Sequence, residues 1–168
     1  MRTAVVRSAK EGLGFGIIAG LVLAIAEMCA AGIAGYPPLA PYRFAASLVY
    51  GARGLDATPL NTAIAVGAIV HLVLSALFGL IYGAINSRAS VSTRVRTDRQ
   101  AAEGLLFGAA LWLVNFQLIA RAGFPWFLGT SQLIQLAMHA VFYGLPLGLM
   151  YAAAERRVHP VRSALAAR

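Results

Sequence analysis

Charge is scarce in this sequence. Of its 168 residues, 12% are Asp, Glu, Lys or Arg and 60% are apolar, whereas soluble domains carry about 25% charged residues. The mean hydropathy of +0.73 agrees with this shortage. The composition argues against a water-soluble enzyme and predicts an integral membrane protein with a single domain, residues 1–168.

Cysteine and the usual catalytic motifs are missing as well. The single cysteine, Cys29, cannot form an internal disulfide, and no CxxC or Cys/His run offers a structural zinc site. No HExxH motif, paired carboxylates or Ser-His-acid set is present. We therefore expect a protein that is not an enzyme.

Acidic residues are few, with six Asp and Glu against fourteen Lys and Arg and a formal net charge of +8. A basic excess indicates nucleic-acid binding when the basic residues share a folded face. Here they lie at the chain ends and in one loop. The predicted partner is therefore the lipid bilayer and not a nucleic acid.

Four stretches with almost no charge are long enough to cross a membrane. A bilayer core about 30 Å thick needs about 20 apolar helical residues, and an open sheet would leave backbone groups unpaired in lipid. The alternation typical of an outer-membrane barrel is missing. The sequence thus predicts an all-α membrane protein with spans at residues 12–34, 60–85, 103–121 and 131–154.

The basic residues predict the orientation. Eleven of the fourteen lie on one side of these spans, in the N-terminal segment, the inner loop 86–102 and the tail 155–168: Arg2, Arg7, Lys10, Arg88, Arg94, Arg96, Arg99, Arg156, Arg157, Arg162 and Arg168. The other side has only Arg43, Arg53 and Arg121. By the positive-inside rule, both termini are cytoplasmic. The Ser-, Thr- and Arg-rich inner loop is expected to be solvated and mobile.

The outer loop 35–59 contains a second short helical pattern. Its segment Phe44 to Tyr50 reads as an amphipathic helix, with Tyr42, Arg43 and Tyr50 suited to the headgroup level. We therefore expect an interfacial helix between the first two spans.

The second half of the sequence resembles the first half. Glu11-Gly-Leu-Gly-Phe-Gly16 opens span 1, and Glu103-Gly-Leu-Leu-Phe-Gly108 opens span 3. Ala34-Gly-Tyr-Pro37 and Ala122-Gly-Phe-Pro125 follow the same two spans. Spans 2 and 4 each carry one histidine and later a tyrosine. This pattern predicts a two-helix unit used twice, as a parallel repeat about an axis along the membrane normal.

Polar residues of all four spans are expected to share one layer in the outer half of the bilayer. At about 1.5 Å per residue, they lie roughly 9 to 15 Å below the outer ends of their helices. Small and polar residues recur every three or four positions on the same faces, so these faces should point inward. The predicted layer consists of Glu27, His71, Asn115 and His139, with Ser75 and Gln135 in support.

Each of these residues has a structural interpretation beside a functional one. A protonated Glu27 or a neutral histidine can serve only as a hydrogen-bonding link between helices. An ionisable residue inside a membrane nevertheless marks a functional site by default. The layer therefore fits three classes of function, which the sequence leaves open.

The first class, which we favour, is a non-enzymatic accessory or assembly subunit of a larger membrane complex, bound to another membrane protein or to itself as a homodimer. No cofactor is expected in it. The second class is an electron-transfer subunit, in which His71 and His139 bind haem b. The same class includes a single metal ion held by Glu27 and both histidines. The third is a small proton-coupled transporter or channel subunit that uses Glu27 and the histidines as a relay.

The order of these features resembles a known family. A Glu in span 1 precedes a Pro-rich outer segment, and the His-bearing span 2 contains Phe78-Gly-Leu-Ile-Tyr82. Gly104-Leu-Leu-Phe-Gly108 opens span 3, and Gln135-x-x-x-His139 lies in span 4. This pattern, over most of residues 11 to 155, is similar to the YagU-like group of bacterial four-span inner-membrane proteins. The resemblance implies a bacterial inner-membrane location and supplies no substrate.

Overall fold

A computed structural model describes residues 2–160, with side chains at position 8 and from position 10 onward. Its long helices are α1 (Arg2–Ile33), α3 (Leu60–Asn86), α5 (Thr97–Gly123) and α6 (Gln132–Val158). Shorter helices are α2 (Ala40–Tyr50) and α4 (Val91–Arg94), and 3₁₀ turns occupy Gly51–Gly54 and Pro125–Gly129. The described residues contain no strand.

Four helices are long and apolar enough to span a membrane, at Lys10–Ile33 and over the full lengths of α3, α5 and α6. This confirms the prediction of an all-helical chain with four spans. All four extend beyond the predicted spans at one or both ends, because polar residues continue the helices at their ends. The basic residues Arg2 and Arg7, as side chains, and Arg162 and Arg168 lie outside the described part.

Long helices that follow one another in the chain pack as close pairs, α1 with α3 and α5 with α6. Glycines lie in both contacts, and in the first pair a serine, Ser75, lies beside them. A Cβ added at Gly16 would collide with the Ser75 carbonyl oxygen, and one at Gly104 with the Gly144 carbonyl oxygen. Small side chains allow this backbone approach, which is the usual way in which helices associate in lipid.

The two pairs meet around a core of aromatic and aliphatic side chains. Its centre consists of the buried Tyr82, Tyr143 and Tyr151, with Leu111 and Leu147 against them. By contrast, large apolar residues such as Leu106 and Leu133 are 70% and 75% exposed on the outside of the bundle. An apolar exterior is what a helix bundle presents to lipid.

The helix expected in the outer loop is present as α2, which packs along the first turns of α3. A Cβ at Gly67 would collide with the backbone of Tyr42. The Trp126 indole donates a hydrogen bond of 2.8 Å to the Ser47 hydroxyl, and the Phe44 ring lies 5.4 Å from the Phe127 ring. The loops at this end of the bundle, residues 34–59 and 124–131, therefore contact each other. We call this end the loop face, and the opposite end, which carries both described chain ends, the terminal face.

Helices α5 and α6 each change their pitch once. Leu113–Ile119 in α5 and Met138–Gly144 in α6 are π-helical, with a hydrogen-bond spacing that adds one residue to a turn. Helices α1 and α3 contain no such segment. The π-helical segments include Asn115 and His139, two of the residues predicted from the sequence to form the polar layer.

Candidate functional site

His71 and Ser75 lie in the contact between α1 and α3. The His71 Nε2 atom is 2.8 Å from the Gly20 carbonyl oxygen. Because a carbonyl only accepts, Nε2 carries the proton and donates it. The Ser75 hydroxyl donates to the His71 carbonyl oxygen at 2.7 Å, and the buried Tyr143 hydroxyl donates to the Ser75 carbonyl oxygen at 2.6 Å. These predicted site residues thus connect three helices through backbone carbonyls.

His139 and Gln135 lie on one face of α6, one turn apart. The His139 Nδ1 atom donates to the Gln135 carbonyl oxygen at 2.9 Å, so this hydrogen bond stays within its own helix. The His139 ring meets the Phe116 ring edge to face, at 5.5 Å between centroids. The Gln135 Oε1 and Trp112 Nε1 atoms are buried without a hydrogen-bond partner. This part of the predicted layer is held less firmly than the part around His71.

Glu27 and Asn115 are half-buried and stand apart from that network. Neither side chain makes a hydrogen bond or an ion pair with any residue of the described part of the chain. Glu27 lies six residues before the end of α1 at Ile33, which corresponds to about 9 Å along the helix. It is therefore the acid of this chain that lies within a span and lacks an internal partner.

The geometry also bears on the predicted metal set. Within residues 10–160 and Ser8, no three side chains of His, Cys, Asp or Glu come close enough to hold a metal ion. Glu27, His71 and His139 consequently do not form the three-ligand set that the sequence suggested as one alternative. For haem, His71 would first have to give up its Nε2 bond to the Gly20 carbonyl.

A second polar cluster, which the sequence analysis did not identify, fills the terminal face. The Gln100 side-chain amide donates to the Oδ1 atom of the Asn86 side chain at 3.0 Å and to the Glu103 carboxylate at 2.8 Å. The Tyr82 hydroxyl donates to the Gln100 Oε1 atom at 3.3 Å. Gln100, Asn86 and Tyr82 are at most 3% exposed. Side chains from α3 and α5 are thus bonded to each other away from solvent.

An ion pair lies beside this cluster. The Arg94 guanidinium donates to the Glu155 carboxylate at 3.4 Å, and both side chains are buried. His159 lies one turn further on, with its Nε2 atom 3.7 Å from the same carboxylate. Arg94 belongs to the inner loop that the sequence predicts to be solvated and mobile. Instead, the hydroxyl of Ser90 caps α4, and the loop carries this arginine into the bundle as the counter-charge of α6.

The first helix completes the terminal face. The Tyr151 hydroxyl donates to the Ser8 carbonyl oxygen at 2.6 Å, and the Ser8 hydroxyl donates to the Gly83 carbonyl oxygen at 2.9 Å. Both residues are fully buried. The beginning of α1 is therefore tied to the ends of α3 and α6, and every long helix contributes a buried polar group here.

Sequence reasoning missed this cluster because its members stand at the borders of the apolar spans. Gln100, Asn86 and Arg94 lie among residues that are normally solvated, and a polar residue at a span border needs no explanation. One available signal was the tyrosine near the end of each even-numbered span, since a buried tyrosine hydroxyl needs an acceptor.

No known protein family, curated protein or solved structure matches this chain. The resemblance to the YagU-like group therefore stays a prediction. What the site does has to be inferred from its own contacts.

Proposed function

We propose that the protein is a non-enzymatic subunit of the bacterial inner membrane, with an accessory or assembly role in a larger membrane complex. The observation that carries this proposal is Glu27, a half-buried acid within a span that has no hydrogen-bonding partner in the described part of its own chain. Another membrane protein, or a second copy of this chain, would supply the missing partner.

The physical reason is the cost of a polar group in lipid. A charged carboxylate at the bilayer centre costs at least about 2.5 kcal/mol, and a neutral one still seeks a hydrogen bond. Glu27 is only half-buried, so one side of its side chain is open to the surroundings of the bundle. A polar group on a neighbouring transmembrane helix can reach it from that side.

The contacts of the histidines support a non-catalytic role. Each donates a ring proton to a backbone carbonyl, of Gly20 for His71 and of Gln135 for His139. Such bonds link or stiffen helices and leave one ring nitrogen of each histidine without a positioned reaction partner. For His71 this use fits a structural linker better than a haem ligand, because its Nε2 atom would have to release the Gly20 carbonyl before it could bind iron.

Internal duplication is part of the proposal. It is supported by residues of the first helix pair that have a counterpart at a fixed distance along the sequence in the second pair. At a spacing of 92, Ser8 corresponds to Gln100 and Phe15 to Phe107; at 69, Tyr82 corresponds to Tyr151. The Phe15 ring packs on Tyr151 at 5.2 Å, and the Phe107 ring packs on Tyr82 at 5.1 Å. These crossed contacts are what a pseudo-twofold axis between two equivalent helix pairs would produce.

The orientation in the membrane belongs to the same proposal. The terminal face carries most of the basic residues, so the positive-inside rule puts this face, and with it both termini, in the cytoplasm. Reporter domains fused to Arg53 and to Arg88 would test this. We expect an outside signal from the first fusion and an inside signal from the second; the reverse pattern would refute the orientation.

The test of the subunit role compares three variants in native membranes. Glu27→Leu removes the polar group, Glu27→Gln keeps a hydrogen-bonding group, and Ile25→Ala changes an exposed apolar neighbour as a control. After extraction in mild detergent, we expect wild type, Glu27→Gln and Ile25→Ala to migrate in a complex on native gels. Glu27→Leu should migrate as the isolated chain of 17.7 kDa plus detergent.

Two further measurements complete this experiment. A thermal midpoint of Glu27→Leu close to wild type separates a lost partner from a misfolded chain. Wild type extracted as the isolated chain, or Glu27→Leu still in the complex, would refute the subunit role. A reduced-minus-oxidised visible spectrum of the purified protein checks the alternative, because a b-type haem band that disappears in His71→Ala and His139→Ala would make it an electron-transfer subunit.

A further inference from the structure

A cleft opens on the terminal face where the inner loop meets the beginning of α5. It has a volume of about 320 Å³ and is lined by Ser92, Thr93, Arg96, Arg99 and Glu103. The loop face has a cleft of similar size, about 340 Å³, but only one charged residue, Arg53, lines it. The two clefts differ in their chemistry more than in their size.

One of the two guanidinium groups that line the terminal cleft has no partner among the described residues. Arg96 binds Asp98 through two hydrogen bonds, of 3.1 and 2.6 Å, and the Glu103 carboxylate accepts from Gln100. Arg99 is exposed and makes no hydrogen bond or ion pair with any described residue. Arg156 lies nearby and donates to the Thr97 hydroxyl. A guanidinium group is thus available to an outside anion.

Hydroxyl groups stand beside this guanidinium. Ser92 and Thr93 line the cleft, and both share hydrogen bonds with the Ser90 hydroxyl, at 2.8 and 2.9 Å. Arginine forks and hydroxyl donors are the groups that proteins use for phosphate oxygens. The cleft therefore offers donors for a phosphate group, with one carboxylate, Glu103, at its edge.

An apolar strip continues from the cleft along α5. Leu106 and Leu113 follow Arg99 by seven and fourteen residues, which puts all three on one helical face. The two leucines are 70% and 51% exposed. A ligand with a phosphate at one end and a hydrocarbon tail at the other can contact both the polar cleft and the apolar strip. A soluble phosphate compound would contact only the cleft.

We propose that this cleft binds the headgroup of an anionic phospholipid, with Arg99 on the phosphate and the acyl chains along Leu106 and Leu113. Basic pockets at the ends of transmembrane helices are suited to such lipids. The site would fix one lipid of the leaflet at the terminal face and anchor the junction of the inner loop with α5. It does not depend on Glu27 or on a partner subunit.

The test measures lipid binding to the purified full chain in mild detergent by native mass spectrometry. Phosphatidylglycerol and phosphatidylcholine are titrated separately, against wild type, Arg99→Gln and the matched control Arg53→Gln from the loop-face cleft. We expect wild type to prefer phosphatidylglycerol, Arg99→Gln to bind it about fivefold more weakly, and Arg53→Gln to bind it as wild type does. Arg99 has no partner within the described chain, so its replacement should leave the thermal midpoint unchanged.

Two additional measurements identify the kind of ligand. Leu106→Gln should weaken phosphatidylglycerol binding as well, because it interrupts the apolar strip. Inorganic phosphate at millimolar concentration should not displace the lipid. Equal binding by wild type and Arg99→Gln, an equal loss in Arg53→Gln, or displacement by inorganic phosphate would each overturn the proposal, the last by indicating a site for soluble anions.

Discussion

The two helix pairs solve the same packing problem in different ways. In the pair α1 and α3, small residues continue along the contact as far as Gly20, so that His71 reaches across to a backbone carbonyl. In the pair α5 and α6, the position 92 residues after Gly20 is Trp112. A tryptophan thus stands where the first pair has the glycine whose carbonyl accepts from His71, and His139 bonds to its own helix instead.

The π-helical segments occur in this second pair only. From His71 to Tyr82 the chain advances 11 residues, and from His139 to Tyr151 it advances 12. The π-helical segment of α6 lies between the latter two and takes up one extra residue. The two pairs therefore place their core tyrosines near the terminal face in equivalent positions, whereas their helix contacts differ in the half nearer the loop face.

Single-residue deletions should show the largest difference in stability between the two helix pairs. Deleting Val73 from α3 rotates the following small residues away from α1 by about 100°, so we expect loss of the folded state. Deleting Val141 from the π-helical segment of α6 should convert it to a regular turn and cost far less. Both side chains are exposed, at 60% and 41%. Yield of monodisperse protein in detergent measures the difference; an equal loss in both deletions would contradict the extra-residue interpretation.

Removing the buried counter-charge should have the next largest effect. The position of Glu155 in the second pair corresponds, at a spacing of 69, to the neutral Asn86 in the first, and Arg94 balances the added charge. Arg94→Met should lower the free energy of unfolding by about 3–5 kcal/mol. The double variant Arg94→Met with Glu155→Gln should recover most of that loss. Unfolding in mixed detergent micelles measures both, and failure of the rescue would show that Arg94 acts through other contacts.

The glycine contacts give a smaller, well-controlled effect. Gly16→Ala puts a Cβ against the α3 backbone and should destabilise by about 1–3 kcal/mol. Gly14, half a turn away on the same helix, has nothing within 4 Å of an added Cβ. Gly14→Ala should therefore be neutral or stabilise by up to about 1 kcal/mol. The same unfolding measurement applies, and a similar loss of stability in the two variants would contradict the packing interpretation, because helix propensity favours alanine at both positions.

The histidines should show the smallest difference. His71→Ala removes a hydrogen bond between helices, and we expect a loss of about 1 kcal/mol in the free energy of unfolding. His139→Ala removes a bond within one helix and should cost less, apart from the Phe116 contact. A larger loss in His139→Ala than in His71→Ala would reverse the ranking of the two pairs in stability.

Much of the fold could be predicted from the sequence, because it depends on local properties. Long uncharged stretches must be helices if they cross lipid. Small residues recur every four positions, as Gly16 and Gly20 in α1 and as Ser75 and Gly79 in α3, and this recurrence predicts which faces meet. For the candidate site, the same periodicity put His71 and Ser75 on one face of their helix, and in the structure both lie against Gly20 of α1.

The partners of individual polar groups were decided only by the tertiary structure. Arg94 and Glu155 are 61 positions apart in the sequence, so whether Arg94 is solvated or paired with Glu155 depends on where the inner loop lies against the bundle. The two histidines stand at similar positions in the sequence of their helices, yet His71 bonds across a helix contact and His139 bonds along its own helix. Periodicity determines the direction of a side chain about its own helix axis, but not the distance and vertical register between two helices. Those two quantities select each hydrogen bond, and they result from the packing of the whole bundle.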